Sequence, residues 1–146
     1  MRLIILIAIG LGLATSAYAR KARANIDAAL VKKIEQQMVL PPVASSLKDY
    51  TRFYAPGRID GRDVIEGVYL GGHEAVDKTA TPVEGVAGAY VMKPGKHLPL
   101  IFDGGCGVLE MTFDLRTQTP IVSQAVDVKA PLRNTPPPTA WCHGDA

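Results

Sequence analysis

From Asn25 to Met38 the apolar residues Ile26, Leu30, Ile34 and Met38 recur every fourth position, with Val31 beside them. Lys32, Lys33, Glu35 and Gln36 fill much of the opposite face. That spacing lies close to the 3.6-residue helical period and predicts an amphipathic helix over 25–38. Asn25 is placed to serve as N-cap, Asp27 sits near the positive end of the helix dipole, and Pro41-Pro42 forbids continuation past Leu40.

After the prolines the pattern changes to short β-prone runs punctuated by Gly, Pro and Asp. Tyr50–Ala55 and Val64–Leu70 read as two strands, and Pro56-Gly57 and Asp60-Gly61 between them are turn formers, so the pair predicts a long-looped hairpin. Residues 71–88 have no clear period and read as loop. Ala89–Met92 reads as a short strand, Lys93-Pro94-Gly95-Lys96 as a turn, and Leu98–Phe102 as an extended run broken by Pro99. The plainest alternation follows Gly107. Leu109, Met111, Phe113 and Leu115 interleave with Val108, Glu110, Thr112 and Asp114, which predicts a strand with one apolar and one largely polar face. Arg116–Pro120 reads as a turn and Ile121–Val128 as the returning antiparallel partner. Past Ala130 the prolines exclude helix and central strand, so a Pro-rich tail from about 130 is expected to run extended over the surface. The fold class predicted is α+β: an N-terminal amphipathic helix packed on a four- or five-stranded antiparallel sheet, with an extended C-terminal tail tied by one disulfide.

The first residues change the picture of where this domain matures. Met1-Arg2 precedes an apolar run from Leu3 to Ala14, then Thr15-Ser16 and Ala17-Tyr18-Ala19. A basic start, an apolar stretch of roughly 7–15 residues and an A-x-A site make a signal peptide spanning 1–19, with cleavage after Ala19. The apolar run falls short of the roughly 20 residues a membrane-spanning helix needs. The competing reading is an anchor, favoured by the basic flank Arg20, Lys21 and Arg23, which the positive-inside rule places in the cytoplasm. Cleavage leaves residues 20–146 as a single small domain, periplasmic or secreted, with no stable membrane insertion. No cysteine stands near the cleavage point to carry a lipid.

Charge then narrows the partners. The whole chain carries 16 Lys and Arg against 14 Asp and Glu, a net charge of +2, and loss of Arg2 lowers it to +1. So even a balance provides no overall field for nucleic acid or for an anionic membrane surface. Both cysteines, Cys106 and Cys142, lie in the mature part, and two thiols exported to an oxidising space most often become one disulfide. The competing reading is a reactive free thiol.

Candidate chemistry is sparse. Asp103-Gly104-Gly105-Cys106-Gly107 admits Cys106 as a nucleophile, with glycine N–H groups as an oxyanion hole and His97 or His143 as base; the plain alternative is a tight turn holding half of a disulfide. Cys142-His143 lacks the C-x-x-C-H haem pattern. The possible metal ligands His73, His97, His143 and the two cysteines show no H-x-x-x-H or H-E-x-x-H spacing. Asp60, Asp63 and Glu66 suit turn geometry better than acid/base pairing. Gly71-Gly72-His73 and 85–88 lack the strand–glycine–helix setting of a phosphate loop. Tyr50, Phe53, Tyr54, Tyr69 and Tyr90 suit packing within strands better than an exposed aromatic surface, and Met38, Met92 and Met111 suit the core better than a copper site. No cofactor is expected.

The stretch Leu98–Val108, with its D-G-G-C turn, and the closing Trp141-Cys142-His143-Gly144 resemble short exported bacterial proteins of uncharacterised function, over about the C-terminal half. Those proteins share a tyrosine-rich strand region like Tyr50–Tyr54 and a hairpin. The resemblance implies that Cys106 and Cys142 belong together; it implies no activity. The function expected is that of a small secreted or periplasmic accessory or binding protein, non-catalytic, acting on a protein or cell-envelope partner. The alternatives are a cysteine-dependent enzyme or thiol redox protein using Cys106, and a periplasmic metal-binding protein.

Overall fold

A computed structural model of the chain describes residues 25–72, 78–101, 105–121 and 139–143. The expected leader, His73, most of the expected strand over Ile121–Val128 and the Pro-rich stretch lie outside these residues.

Among the described residues there is one α-helix, α1 (Ala28–Gln36), and a short 3-10 turn (Leu47–Asp49). There are seven strands: β1 (Tyr50–Ile59), β2 (Arg62–Gly71), β3 (Ala80–Pro82), β4 (Ala89–Met92), β5 (Gly105–Asp114), β6 (Thr119–Pro120) and β7 (Ala140–His143). All seven join one sheet of order β3-β4-β1-β2-β5-β6, with β7 also paired to β5. Two expectations are corrected here. The sheet is mixed, because β1 and β4 run parallel (Arg52 opposite Ala89, Tyr54 opposite Val91). It also has more than the four or five strands expected, because β3 forms within the segment read as loop and β7 forms at the end of the segment read as an extended tail.

The helix is shorter than its periodicity suggests and begins at position 28 rather than at the start of the chain. Its N-cap is Asp27, not Asn25: Asp27 Oδ1 accepts from the Leu30 N–H at 2.9 Å. It ends at Gln36 because Val39 is bonded elsewhere. The Val39 N–H donates to Thr139 Oγ1 and the Val39 carbonyl accepts from the Thr139 N–H, each at 2.8 Å. Long-range pairing thus overrides the last turn of an otherwise good helical pattern.

The β1–β2 hairpin is tight rather than long-looped. Ten residues pair on each side, from Tyr50 opposite Gly71 to Ile59 opposite Arg62. The loop is only Asp60-Gly61, whose φ angles of 48° and 77° are the two positive values of a type I′ turn. Pro56 and Gly57 lie within β1, beyond the stretch that β4 covers, where proline's missing N–H leaves no ladder bond unmade.

Register sorts the side chains into two layers. On one face Tyr50, Tyr54, Ile65, Tyr69, Leu109, Met111, Phe113 and Ala140 pack with Val31 and Ile34 of α1, both fully buried. On the other face Phe53, Ala55, Val68, Leu70, Ala80, Met92 and Val108 form a second cluster, closed by Tyr90, Leu98 and Ile101. Full burial of a Leu-, Ile- or Phe-sized side chain is worth roughly 1.5–3 kcal/mol. The expected apolar face of β5 is thus the α1 face, while Thr112 and Asp114 on its other face are buried as well.

Candidate functional site

The tyrosines of β1 and β2 converge beneath α1 with two charged residues, and together they form a buried polar network. Tyr50, Arg52 and Tyr54 alternate along β1 toward the helix, and Tyr69 of β2 comes to the same face. Glu35 reaches down from α1. Arg52 Nε lies 2.8 Å from Glu35 Oε1, with side-chain exposures of 5% and 16%. The carboxylate is off the line of the Nε–H, so this contact is an ion pair rather than a hydrogen bond. The other guanidinium nitrogens are directed: Nη1 donates to the Leu47 carbonyl at 2.9 Å and Nη2 to the Ala87 carbonyl. Arg52 therefore binds the helix, the 3-10 turn and the loop before β4 to the centre of the sheet.

The Tyr54 hydroxyl donates to Glu35 Oε1 at 3.0 Å and lies 3.2 Å from Tyr69 Oη. The two rings meet edge to face, 5.7 Å between centroids. Burial pushes the Tyr54 phenol well above its ordinary value, reinforced by Tyr69 and by the negative charge of Glu35. Burial also raises Tyr69, partly offset by its hydrogen bond with Tyr54. Both phenols stay protonated far into the alkaline range, so the network serves cohesion; neither is poised to take or give a proton near neutral pH.

A hydroxyl relay leads from this layer to the disulfide. Tyr50 Oη accepts from the Ser45 N–H at 3.1 Å and donates to the Cys106 carbonyl at 2.8 Å. Cys106 and Cys142 are joined, with Cα atoms 4.4 Å apart, and no cysteine is free. The bridge sits where the β5–β7 ladder is irregular, since Gly105 faces His143 and the next paired residue, Leu109, faces Cys142. The sulfur that a nucleophilic role would need is consumed in this bond.

The other sequence candidates do not converge. His97 is exposed, His73 lies outside the described residues, and His143 stands opposite Gly105 in the β5–β7 ladder. Among the described residues there is no group of three or more His, Cys, Asp or Glu placed to hold a metal ion. Asp60 is in the hairpin turn, Asp63 opposes Arg58, and Glu66 belongs to the other face of the sheet. Phe53 and Tyr90 stack on that face with centroids 5.7 Å apart, while Tyr50, Tyr54 and Tyr69 are core. Two shallow open depressions flank residues 82–91, one of about 510 Å³ against the start of α1 (Ile26, Asp27, Ala28) and one of about 500 Å³ over 85–90. Neither gathers convergent polar groups of the kind that fix a small ligand.

Sequence reading missed the Glu35–Arg52–Tyr54–Tyr69 network. The available signal was Arg52 alternating with Tyr50 and Tyr54 in a strand, a cation that a buried face tolerates only when paired; its partner sits 17 positions away on another element. No protein-family model, curated protein or solved structure matches this chain. No helix among the described residues is long and apolar enough to cross a membrane.

Proposed function

We propose that this chain is a small exported protein that acts in an oxidising compartment by binding a protein or cell-envelope partner rather than by catalysis. The observation that carries the reading is the Cys106–Cys142 disulfide, which uses both cysteines of the chain. Such bonds persist in secreted and periplasmic proteins and are rare where glutathione and thioredoxin keep thiols reduced. The A-x-A site after the apolar leader supports the same compartment. The polar groups that a catalytic site would need free are committed to one another: Arg52 to Glu35 and two carbonyls, Tyr54 to Glu35 and Tyr69.

The test is thiol titration of the unreduced protein, native and denatured, together with determination of its N-terminus. Expected are no titratable thiol in either state and a chain beginning at Arg20. A chain beginning at Met1 with both thiols reduced would end the export reading. A single accessible thiol of strongly lowered pKa would replace the binding protein with a cysteine-dependent enzyme.

A further inference from the structure

We propose that the edge of β5 beneath β7 is an exchangeable strand site: thiol–disulfide exchange at Cys106–Cys142 frees β7, and the β7 of a second copy of this chain takes its place. Consecutive pairs seat the strand, with Met111 opposite Ala140, Glu110 opposite Trp141 and Leu109 opposite Cys142, before the ladder becomes irregular toward Gly105. Thr139 adds its bonds to both backbone groups of Val39. The covalent tie is the bridge itself. Cys106 and Cys142 are half-buried, and glycine stands on either side of Cys106, so neither adjoining residue of β5 has a side chain to hinder an attacking thiolate.

The edge is fit to take a strand. β3 and β6, at the two ends of the sheet order, carry Pro82 and Pro120, which blunt them, whereas β5 has no proline from Gly105 to Met111. A segment added to β5 there must be extended, place a small residue opposite Met111, where Ala140 is wholly buried, and set a cysteine opposite Leu109. β7 meets all of these demands, and every copy of the chain carries it. Positions 121–138 join β6 to Thr139, a length of chain that reaches up to roughly 60 Å when extended, many times the separation of about 5 Å between neighbouring strands. The chemistry balances without net oxidation. A thiolate attacks the Cys106 sulfur, forming a mixed disulfide and releasing Cys142 as thiolate; the Cys142 thiolate of a second copy then displaces the attacking thiol from Cys106. Two bridges within chains become two bridges between chains, and the thiol is regenerated. At micromolar protein the tethered strand wins, because its effective concentration is of about millimolar order, and the second copy competes as the protein itself approaches that concentration.

The test mixes two single-cysteine chains in a buffer of reduced and oxidised glutathione: Cys106→Ser, which keeps the sulfur of β7, and Cys142→Ser, which keeps the sulfur of the edge. Each crosslink forms as two thiols give their protons and electrons to oxidised glutathione, which becomes two molecules of the reduced form. Expected on a non-reducing gel is a covalent dimer in the mixture, about tenfold above either variant alone, because only in the mixture does a seated strand bring Cys142 to Cys106. A synthetic peptide covering 139–146 is expected to couple to the Cys142→Ser chain, and the same peptide with Ala140→Trp about tenfold less, a comparison that needs no folding of the altered partner. The parent, treated with reduced glutathione and then alkylated, is expected to hold covalent dimer at about 1 mM and none at about 1 μM. The proposal is overturned if the mixture crosslinks no more than the separate variants, if the two peptides couple equally, or if the parent yields no covalent dimer at about 1 mM. The inference goes beyond export and stands on the bridge: a chain still beginning at Met1 would end the export reading and leave these crosslinking patterns as expected.

Discussion

Arg52 is the residue on which the α1 face depends most. A guanidinium almost wholly removed from water is tolerated because Glu35 neutralises it and the carbonyls of Leu47 and Ala87 take its N–H groups. Removing one partner of a buried pair leaves the other charged and unsatisfied, at a cost of about 3–5 kcal/mol. Arg52→Ala is therefore expected to lower the unfolding free energy by that amount, read from urea denaturation. Arg52→Met/Glu35→Met should lose less than the two single changes summed, because the second removal also takes away the orphaned charge; strict additivity would mean the two side chains do not act as a pair. The phenols beside them make an alkaline prediction. Tyr54 and Tyr69 have folded values raised above the ordinary value of 10.0. Unfolding then releases protons once the pH passes 10.0, so their stabilisation is complete below that pH and declines as it rises toward the folded values. Thermal midpoints should fall steeply above this pH in the parent and less steeply in Tyr69→Phe; parallel curves would show that the phenols do not couple to folding.

Elements were legible where one local pattern decided them, and obscured where a distant partner did. The alternation Leu109, Met111, Phe113 marked β5 and its inner face correctly, because every second residue meets α1 or the tyrosines. The Asp60-Gly61 pair marked the hairpin, but Pro56-Gly57 made the strands look too short; proline stops a strand only where its N–H is needed, and there β1 has no partner beyond β4. β3 escaped detection because Ala80-Thr81-Pro82 is too short to show a period and exists only through β4. Prolines recur at the open edges, Pro56 on β1, Pro82 on β3 and Pro120 on β6, and a residue without an N–H is a poor template for a further strand. The hairpin also carries a prediction. Gly61 has φ 77° and open space where a Cβ would stand, so Gly61→Ala brings backbone strain without a clash. It should cost about 1–2 kcal/mol, read as a lower urea midpoint with an unchanged slope. Asp60→Asn keeps the turn chemistry and should be near neutral.

At the scale of the molecule, the chain closes on itself through its last described strand. β7 adds four residues to β5 beside β6, Ala140 is wholly buried against the α1 layer, and Thr139 bonds both backbone groups of Val39 at the end of the helix. The cysteine pairing was accessible to sequence reasoning, since a chain with two cysteines has one way to pair them within itself. That the tail would become a strand was not, because four residues after a run of prolines carry no period of their own. A strand so short and so late in the chain is ordered against a conformational cost of about 1–2 kcal/mol per residue. Set against that cost are its ladder to β5, the Thr139–Val39 bonds and the crosslink. Cys106 and Cys142 are 36 residues apart, a closure worth about 4 kcal/mol in the chain-entropy account. Cys106→Ser/Cys142→Ser should therefore lose about 2–4 kcal/mol, and hydrogen exchange should locate the loss. Amides of β7 and Val39 should exchange freely while the centre of the β1–β2 hairpin keeps its protection, because the hairpin is held by the tyrosines and Arg52. Uniform loss of protection across the sheet would instead make β7 part of a single cooperative unit, and unchanged exchange at β7 would mean that its ladder holds without the sulfur bond.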